Sequence, residues 1–259
     1  MTDLGTDEVT LDVADHVATL TLNRPAKLNA VTPEMSTAIA EAITWCDTSD
    51  DVRAVVVTGT GRAFCAGSDI RELDRYATPW DFRNRPDYCD AIRAARTPTI
   101  AAVNGYALGG GLETALSCDI RIASATATFA APEIKLGWIG GGGMTSLLSR
   151  AIGPSNTALM IMTGDPIDAE QALRWHLVSE VTAPDQLTAR ARQIAATIAS
   201  RAPIAAETAK INLRAAYSMP EDKALEYERD LQTICFATED ATEGRRAFTE
   251  KRAPVFRRR

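Results

Sequence analysis

The chain opens on alternation. Glu8–Val13 and Val17–Leu22 alternate apolar and polar side chains around Asp15-His16, which predicts a β-hairpin with His16 in the turn. Pro33 takes the first position of a helical pattern running to about Asp47, with Thr32 as its N-cap. Ala54–Thr58 is a continuous apolar run, the mark of a strand buried on both faces. A further helical pattern starts near Asp69. Periodicity then fails from Tyr76 to Tyr88, so an irregular segment is expected there, either walling a pocket or lying on the surface with Trp80, Phe82 and Tyr88. Pro98–Val103 reads as a second buried strand, closed by Asn104-Gly105, and Leu112–Cys118 as a helix. Asp119–Ala123 and Ala127–Ala130 are short strands. Met144–Ala151 and Asn156–Thr163 are short helices on either side of Gly153-Pro154, Asp168 caps a helix to Trp175, and Val178–Val181 is a further strand.

The last third changes character. Gln186–Ser200, Ile204–Tyr217 and Glu221–Phe236 are long helical patterns, with Pro184, Pro203 and Pro220 near their starts. Arg257–Arg259 is expected to be a solvated end. Strands therefore mix with helices early and give way to helices late, an α/β order.

Composition narrows the function more than the fold. At 259 residues the chain can bury a substantial core, and 46% hydrophobic with 24% charged residues is ordinary for a globular protein. A net charge of −6 offers no attraction to nucleic acid or to an anionic membrane. The acidic start lacks the apolar region of a secretory signal, and no apolar run approaches the ~18 residues needed to cross a bilayer, so a cytoplasmic location is expected. Five scattered cysteines without C-x-x-C spacing argue against disulfides and zinc, and two histidines against a histidine metal site. Gly59-Thr60-Gly61 suggests a dinucleotide loop, but Phe64 stands where the third glycine belongs.

The candidate chemistry lies between Asn104 and Gly143. N-G-Y-A-L-G-G-G-L-E at Asn104–Glu113 takes a strand through three glycines into a helix start, where open N–H groups favour an anion or an oxygen that becomes one. Glu113 follows directly. Glu133 comes twenty residues later, in A-A-P-E-I-K-L-G-W-I-G-G-G-G. Taken alone, Glu113 is better explained as an acid complementing the helix dipole, and Glu133 fits a surface acid equally well. Their company beside an oxygen-binding turn is what suggests catalysis.

These segments resemble the enoyl-CoA hydratase/isomerase, or crotonase, superfamily over nearly the whole chain. Asn23-Arg24-Pro25 with Leu28-Asn29-Ala30, Val55–Gly59 with Ala63–Ile70, Asn104–Glu113, Ala131-Pro132-Glu133 and Phe248–Arg252 are each similar to a family signature. The resemblance implies a spiral of repeated strand-strand-helix units over 1–200, carrying a CoA-thioester site. It implies a helical region over 201–259 that covers the site and makes a trimer, paired into a hexamer. Ile194, Ile198, Ile211, Leu225 and Leu231 supply the apolar faces expected there.

For the site, the resemblance implies oxyanion donors at the N–H groups of Ala66 and Gly110. It makes Glu113 the base, Glu133 the proton donor and Gly141 a holder of the water. Substrate contacts are implied for Lys27, Ala66, Ser68, Asp69, Ile70, Gly110, Trp138 and Lys251, the last towards a neighbouring subunit's CoA; Asp69 also suits a purely structural helix start. The implied reaction is reversible hydration of a 2-enoyl-CoA, with coenzyme A part of the substrate and no separate cofactor or metal. A family isomerase, a carnitinyl- or hydroxycinnamoyl-type hydratase, a thioester hydrolase and a non-catalytic CoA-binding protein are the alternatives. Two departures bear on the site. Ala131 stands where the family often has Gln, and Gly140 where Pro is common, which predicts a more flexible loop.

Overall fold

The computed structural model describes residues 4–259. β1 (Val9–Ala14) and β2 (Val17–Leu22) form the expected antiparallel hairpin. Asp15 and His16 turn it with φ of 51° and 65°, the paired left-handed geometry that suits the twist of the strands. α1 (Pro33–Thr48) begins where its signals put it, and Met35 N–H donates to Thr32 Oγ1 at 3.2 Å. β3 (Ala54–Gly59) and β4 (Ala63–Cys65) follow. The segment expected to be irregular instead holds α2 (Pro79–Arg83), capped by Thr78, and the start of α3 (Tyr88–Ala94), capped by Asp87. Each is too short to repeat an apolar period, so its cap is the only local signal.

β5 (Thr99–Val103), β6 (Tyr106–Leu108) and α4 (Gly110–Ser117) are succeeded by β7 (Ile120–Ser124) and β8 (Thr128–Ala130). α5 (Met144–Thr163) is two helical stretches meeting at Gly153, which breaks the helix with φ 78° and ψ 163°. β9 (Ile167–Asp168), α6 (Ala169–Arg174), β10 (Glu180–Thr182) and α7 (Leu187–Ala199) complete the strand-bearing part. α8 (Pro203–Ala215), α9 (Glu221–Phe236) and α10 (Glu239–Glu250) close the chain.

The strands divide between two sheets, ordered β1-β2-β3-β5-β7-β10 and β4-β6-β8-β9. Successive pairs β3/β4, β5/β6 and β7/β8 each give one strand to either sheet, so the chain advances as a spiral. Alternation within β3 shows why its run is wholly apolar: Val55 and Val57 face the core against α1, and Ala54 and Val56 face α7. α7 meets that second face through Leu187, Ala191, Ala195 and Ala199, spaced four apart on one side of the helix. Ile194 and Ile198 join them, and Leu231 is buried, so these three serve their own chain; Ile211 and Leu225 stay exposed.

The basic tail is docked through its backbone and Arg258, while Arg257 and Arg259 keep exposed side chains. Asp240, buried in the first turn of α10, accepts the N–H groups of Arg257 and Arg258 at 2.7 and 2.8 Å, and Arg258 pairs with Glu207 of α8 at 2.8 Å. Those partners lie far off in sequence, beyond the reach of a local charge pattern. No helix among the described residues is long and apolar enough to cross a membrane, and no cluster of three metal-ligating side chains occurs among them.

Candidate active site

β4 and β6 are neighbours in the small sheet, so the segments that leave them, Ala66–Ser68 and Gly109–Gly110, emerge side by side. A Cβ on Gly67 would stand 3.0 Å from the Gly110 nitrogen, and one on Gly110 3.5 Å from that of Ser68. Gly110 opens α4, where the first N–H groups have no partner within the helix. Ala66 behaves differently from the expectation. Its N–H donates to Leu28 O at 3.0 Å, and Gly67 N–H to Cys65 Sγ at 3.3 Å. A backbone donor already closing that turn is not open to a ligand oxygen, which corrects the assignment of Ala66. The open N–H beside Gly110 is that of Ser68, two residues on.

Glu113 projects from the first turn of α4 and is buried. Its Oε1 accepts the N–H groups of Gly142 at 2.7 Å and Met144 at 3.1 Å. Side chains would crowd this loop at two of its glycines: a Cβ on Gly140 would lie 2.8 Å from Glu113 Oε1, and one on Gly142 2.7 Å from Oε2, whereas one on Gly141 would meet nothing within 4 Å. The absent side chain at Gly140 thus lets the backbone close over the carboxyl. Arg93 of α3 anchors the loop from behind, donating through Nη1 to Gly142 O at 2.5 Å and to Ser117 Oγ at 3.0 Å. Ser117 Oγ in turn donates to Glu113 O at 2.7 Å. Nothing in the local sequence singles out Arg93.

Burial pushes the Glu113 carboxyl up to about 7, with the neighbouring charges of Glu133 and Asp87 adding to it and the two N–H bonds opposing it. Glu133 sits on a single 3-10 turn (Pro132–Leu136), its carboxyl also raised, by burial. Its Oε2 is buried without a hydrogen-bond partner, and the neighbouring Ala131 is buried and offers no side-chain donor. A Cβ on Gly109 would lie 2.9 Å from Glu133 Oε1, so this second acid stands over the entry to α4.

One cavity collects most of the candidate residues: Ala66, Ser68, Ile70, Gly110, Glu113, Glu133, Trp138 and Gly141 all line it. Phe82 and Arg85, from the stretch expected to be irregular, line it too. Tyr88 packs beneath Gly110, its hydroxyl 3.5 Å from Gly110 O, whereas Trp80 is exposed. Three candidates lie elsewhere. Asp69 lines an adjoining chamber, with its carboxylate engaged by Arg24 at 2.9 Å and by Arg71 N–H at 3.2 Å, the structural role that its sequence also suited. Lys27 and Lys251 are exposed and line neither space.

The profile of the family described as enoyl-CoA hydratase/isomerase matches residues 12–259, and the chain belongs to that family. A probable enoyl-CoA hydratase of Mycobacterium tuberculosis is 43% identical over 255 residues, covering 94% of this chain and 95% of that protein. The 2,3-dehydroadipyl-CoA hydratase of Escherichia coli is 39% identical, covering 97% and 99%. The crystal structure of an enoyl-CoA hydratase from Bacillus anthracis superposes with a TM-score of 0.91 at 32% identity, covering 98% of this chain and all of that one. The fold is therefore the crotonase fold, and the chain is an enzyme of the enoyl-CoA hydratase type.

The raised carboxyl of Glu113 has a consequence for stability. Because the folded state holds this proton more tightly than the ordinary 4.5, its contribution is full below pH 4.5 and is lost as pH rises through about 7. Glu113→Gln, which cannot ionise, should gain stability relative to wild type by about 2–4 kcal/mol between pH 4.5 and pH 8. Urea unfolding at both pH values measures this, and a difference independent of pH would contradict the burial of an ionisable Glu113.

Proposed function

We propose that the chain catalyses reversible addition of water across the C2–C3 double bond of a 2-enoyl-CoA. The observation that carries this reading is the meeting, in one cavity, of two open backbone N–H groups with the buried carboxyl of Glu113 and the half-buried one of Glu133. The thioester oxygen fits between the N–H groups of Ser68 and Gly110. Charge gathers on that oxygen as the double bond is polarised, and one donor of this type typically contributes about 3–4 kcal/mol to lowering the barrier.

Water must give up a proton as its oxygen attacks C3, while C2 must gain one. The acid pair therefore works with one proton between its members. The two N–H bonds on Glu113 Oε1 favour its ionised form and leave Oε2 for the water, which suits the base. Glu133 has no such donors on Oε2, which suits the proton donor to C2. Gly141, on the same loop, is assigned the second hold on the water. Hydration exchanges no electrons with a redox partner, so the chemistry asks for no cofactor beyond the coenzyme A of the substrate. Lys27 and Lys251 are carried forward as contacts to CoA phosphates, Lys251 across a subunit boundary.

Assembly into trimers, paired into hexamers, is part of this proposal. The closing helices leave Ile234 57%, Phe236 65% and Phe248 86% exposed, and a closed ring would cover such surface without leaving an open edge. Light scattering at micromolar concentration should give a multiple of three subunits; a 27.9 kDa particle would contradict it.

With crotonyl-CoA as substrate, Glu113→Gln and Glu133→Gln should each lower kcat by at least ~10²-fold, and the double variant should lose far less than the product of the two. Gly110→Pro keeps a residue suited to a helix start but deletes the N–H, and should cost about 10²–10³-fold with both acids present. Near-wild-type hydration by Glu113→Gln would sink the two-acid reading. Inactivity confined to Glu133→Gln would favour a single-acid isomerase.

A further inference from the structure

The site cavity adjoins a second chamber, and Ser68, Leu73, Arg85 and Glu113 line both. The second chamber is mixed in character, with Thr32, Ser36 and Tyr76 lining it beside Val31, Leu73 and Pro86. Arg85 is the one basic residue lining either space. Its guanidinium lies 4.0 Å over the Phe82 ring, and Nη1 donates to Phe82 O at 2.7 Å, so the group is held in place. The closest carboxylate is that of Asp87: its Oδ2 lies 3.9 Å from Arg85 Nη2, an ion-pair contact too long for a hydrogen bond, while its Oδ1 accepts the Cys89 N–H at 2.8 Å. The remaining guanidinium N–H groups thus have no acceptor. The other acids of the chamber are matched elsewhere, Asp69 by Arg24 at 2.9 Å, Glu72 by Arg75 at 2.6 Å, and Glu113 by the N–H groups of Gly142 and Met144 at 2.7 and 3.1 Å. A fixed, incompletely paired cation thus stands, with Glu113, on the wall common to both chambers.

We propose that Arg85 is a specificity-determining residue, and that the acyl group this enzyme takes ends in a carboxylate, which the Arg85 guanidinium binds. The inference rests on the hydratase reading. An alkyl end placed here would strip water from the guanidinium without replacing its hydrogen bonds. A carboxylate replaces that water with charge-assisted bonds, for which the planar guanidinium has the matching geometry. Sites that hydrogen-bond a substrate group also reject the analogue lacking it more strongly than a close-fitting apolar pocket rejects a missing methylene.

The test compares kcat/KM for pairs of 2-enoyl-CoA thioesters of four to eight acyl carbons, each chain ending in a methyl, a hydroxyl or a carboxylate. The wild-type enzyme should favour the carboxylate over the methyl by about tenfold or more at the length that reaches Arg85. Arg85→Met should collapse that ratio by roughly ten- to a hundredfold, and Arg85→Lys should keep part of it. Each ratio comes from one preparation, so a loss of folded enzyme cancels. Hydration without a carboxylate preference, a preference for the hydroxyl end, or a ratio that survives Arg85→Met overturns this inference and leaves the hydratase reading standing. Failure to hydrate any of the thioesters overturns both.

Discussion

The arrangement depends on how Glu113 is held. A carboxyl buried in the first turn of α4 is costly to ionise, and burial alone would leave it protonated. Two backbone N–H groups from the glycine loop oppose that cost, and the missing side chains at Gly140 and Gly142 leave the carboxyl uncrowded. The loop is itself fixed by Arg93, which ties it to Ser117 one turn beyond Glu113 on the same helix. Helix, loop and arginine thus form a closed circuit of hydrogen bonds around one acid. Burial raises the proton affinity of that acid, and the loop's N–H groups moderate the rise.

The spiral explains why the remaining parts arrive at the same place. Alternate strands feed two sheets, and the ends of β4 and β6 leave the small sheet as neighbours, each followed by a turn with an open N–H. The strand after them, β8, leads into the short turn that carries Glu133. Three consecutive turns of the spiral therefore each deliver one element to the cavity: a donor, a donor with an acid, and a second acid. The hydrophobic contacts that hold the two sheets hold these elements in register as well.

Much of this was legible in the sequence. The hairpin, α1 and the buried strands follow from alternation, caps and apolar runs, because those elements are determined by nearby residues. Glu113 and Glu133 were found through glycines and an acid at a helix start, together with a family likeness. The family likeness implies an oxyanion donor at Ala66, but no local motif tells which N–H in Ala-Gly-Ser is already bonded, and the partner, Leu28 O, lies nearly forty residues earlier. α2 and α3 were missed because a helix of one or two turns shows a cap without a period. The docking of the tail is illegible for a related reason: Asp240 accepts its backbone N–H groups and Glu207 pairs with Arg258, and only the fold brings these acids near.

The most direct measurement is a crystal structure of the enzyme with a 3-hydroxyacyl-CoA bound. The account predicts the thioester oxygen about 3 Å from the nitrogens of both Ser68 and Gly110, with Ala66 N–H still donating to Leu28 O and the hydroxyl group between Glu113 and Glu133. A thioester oxygen bound by Ala66 N–H with the Leu28 contact broken, or lying away from α4 altogether, would contradict it.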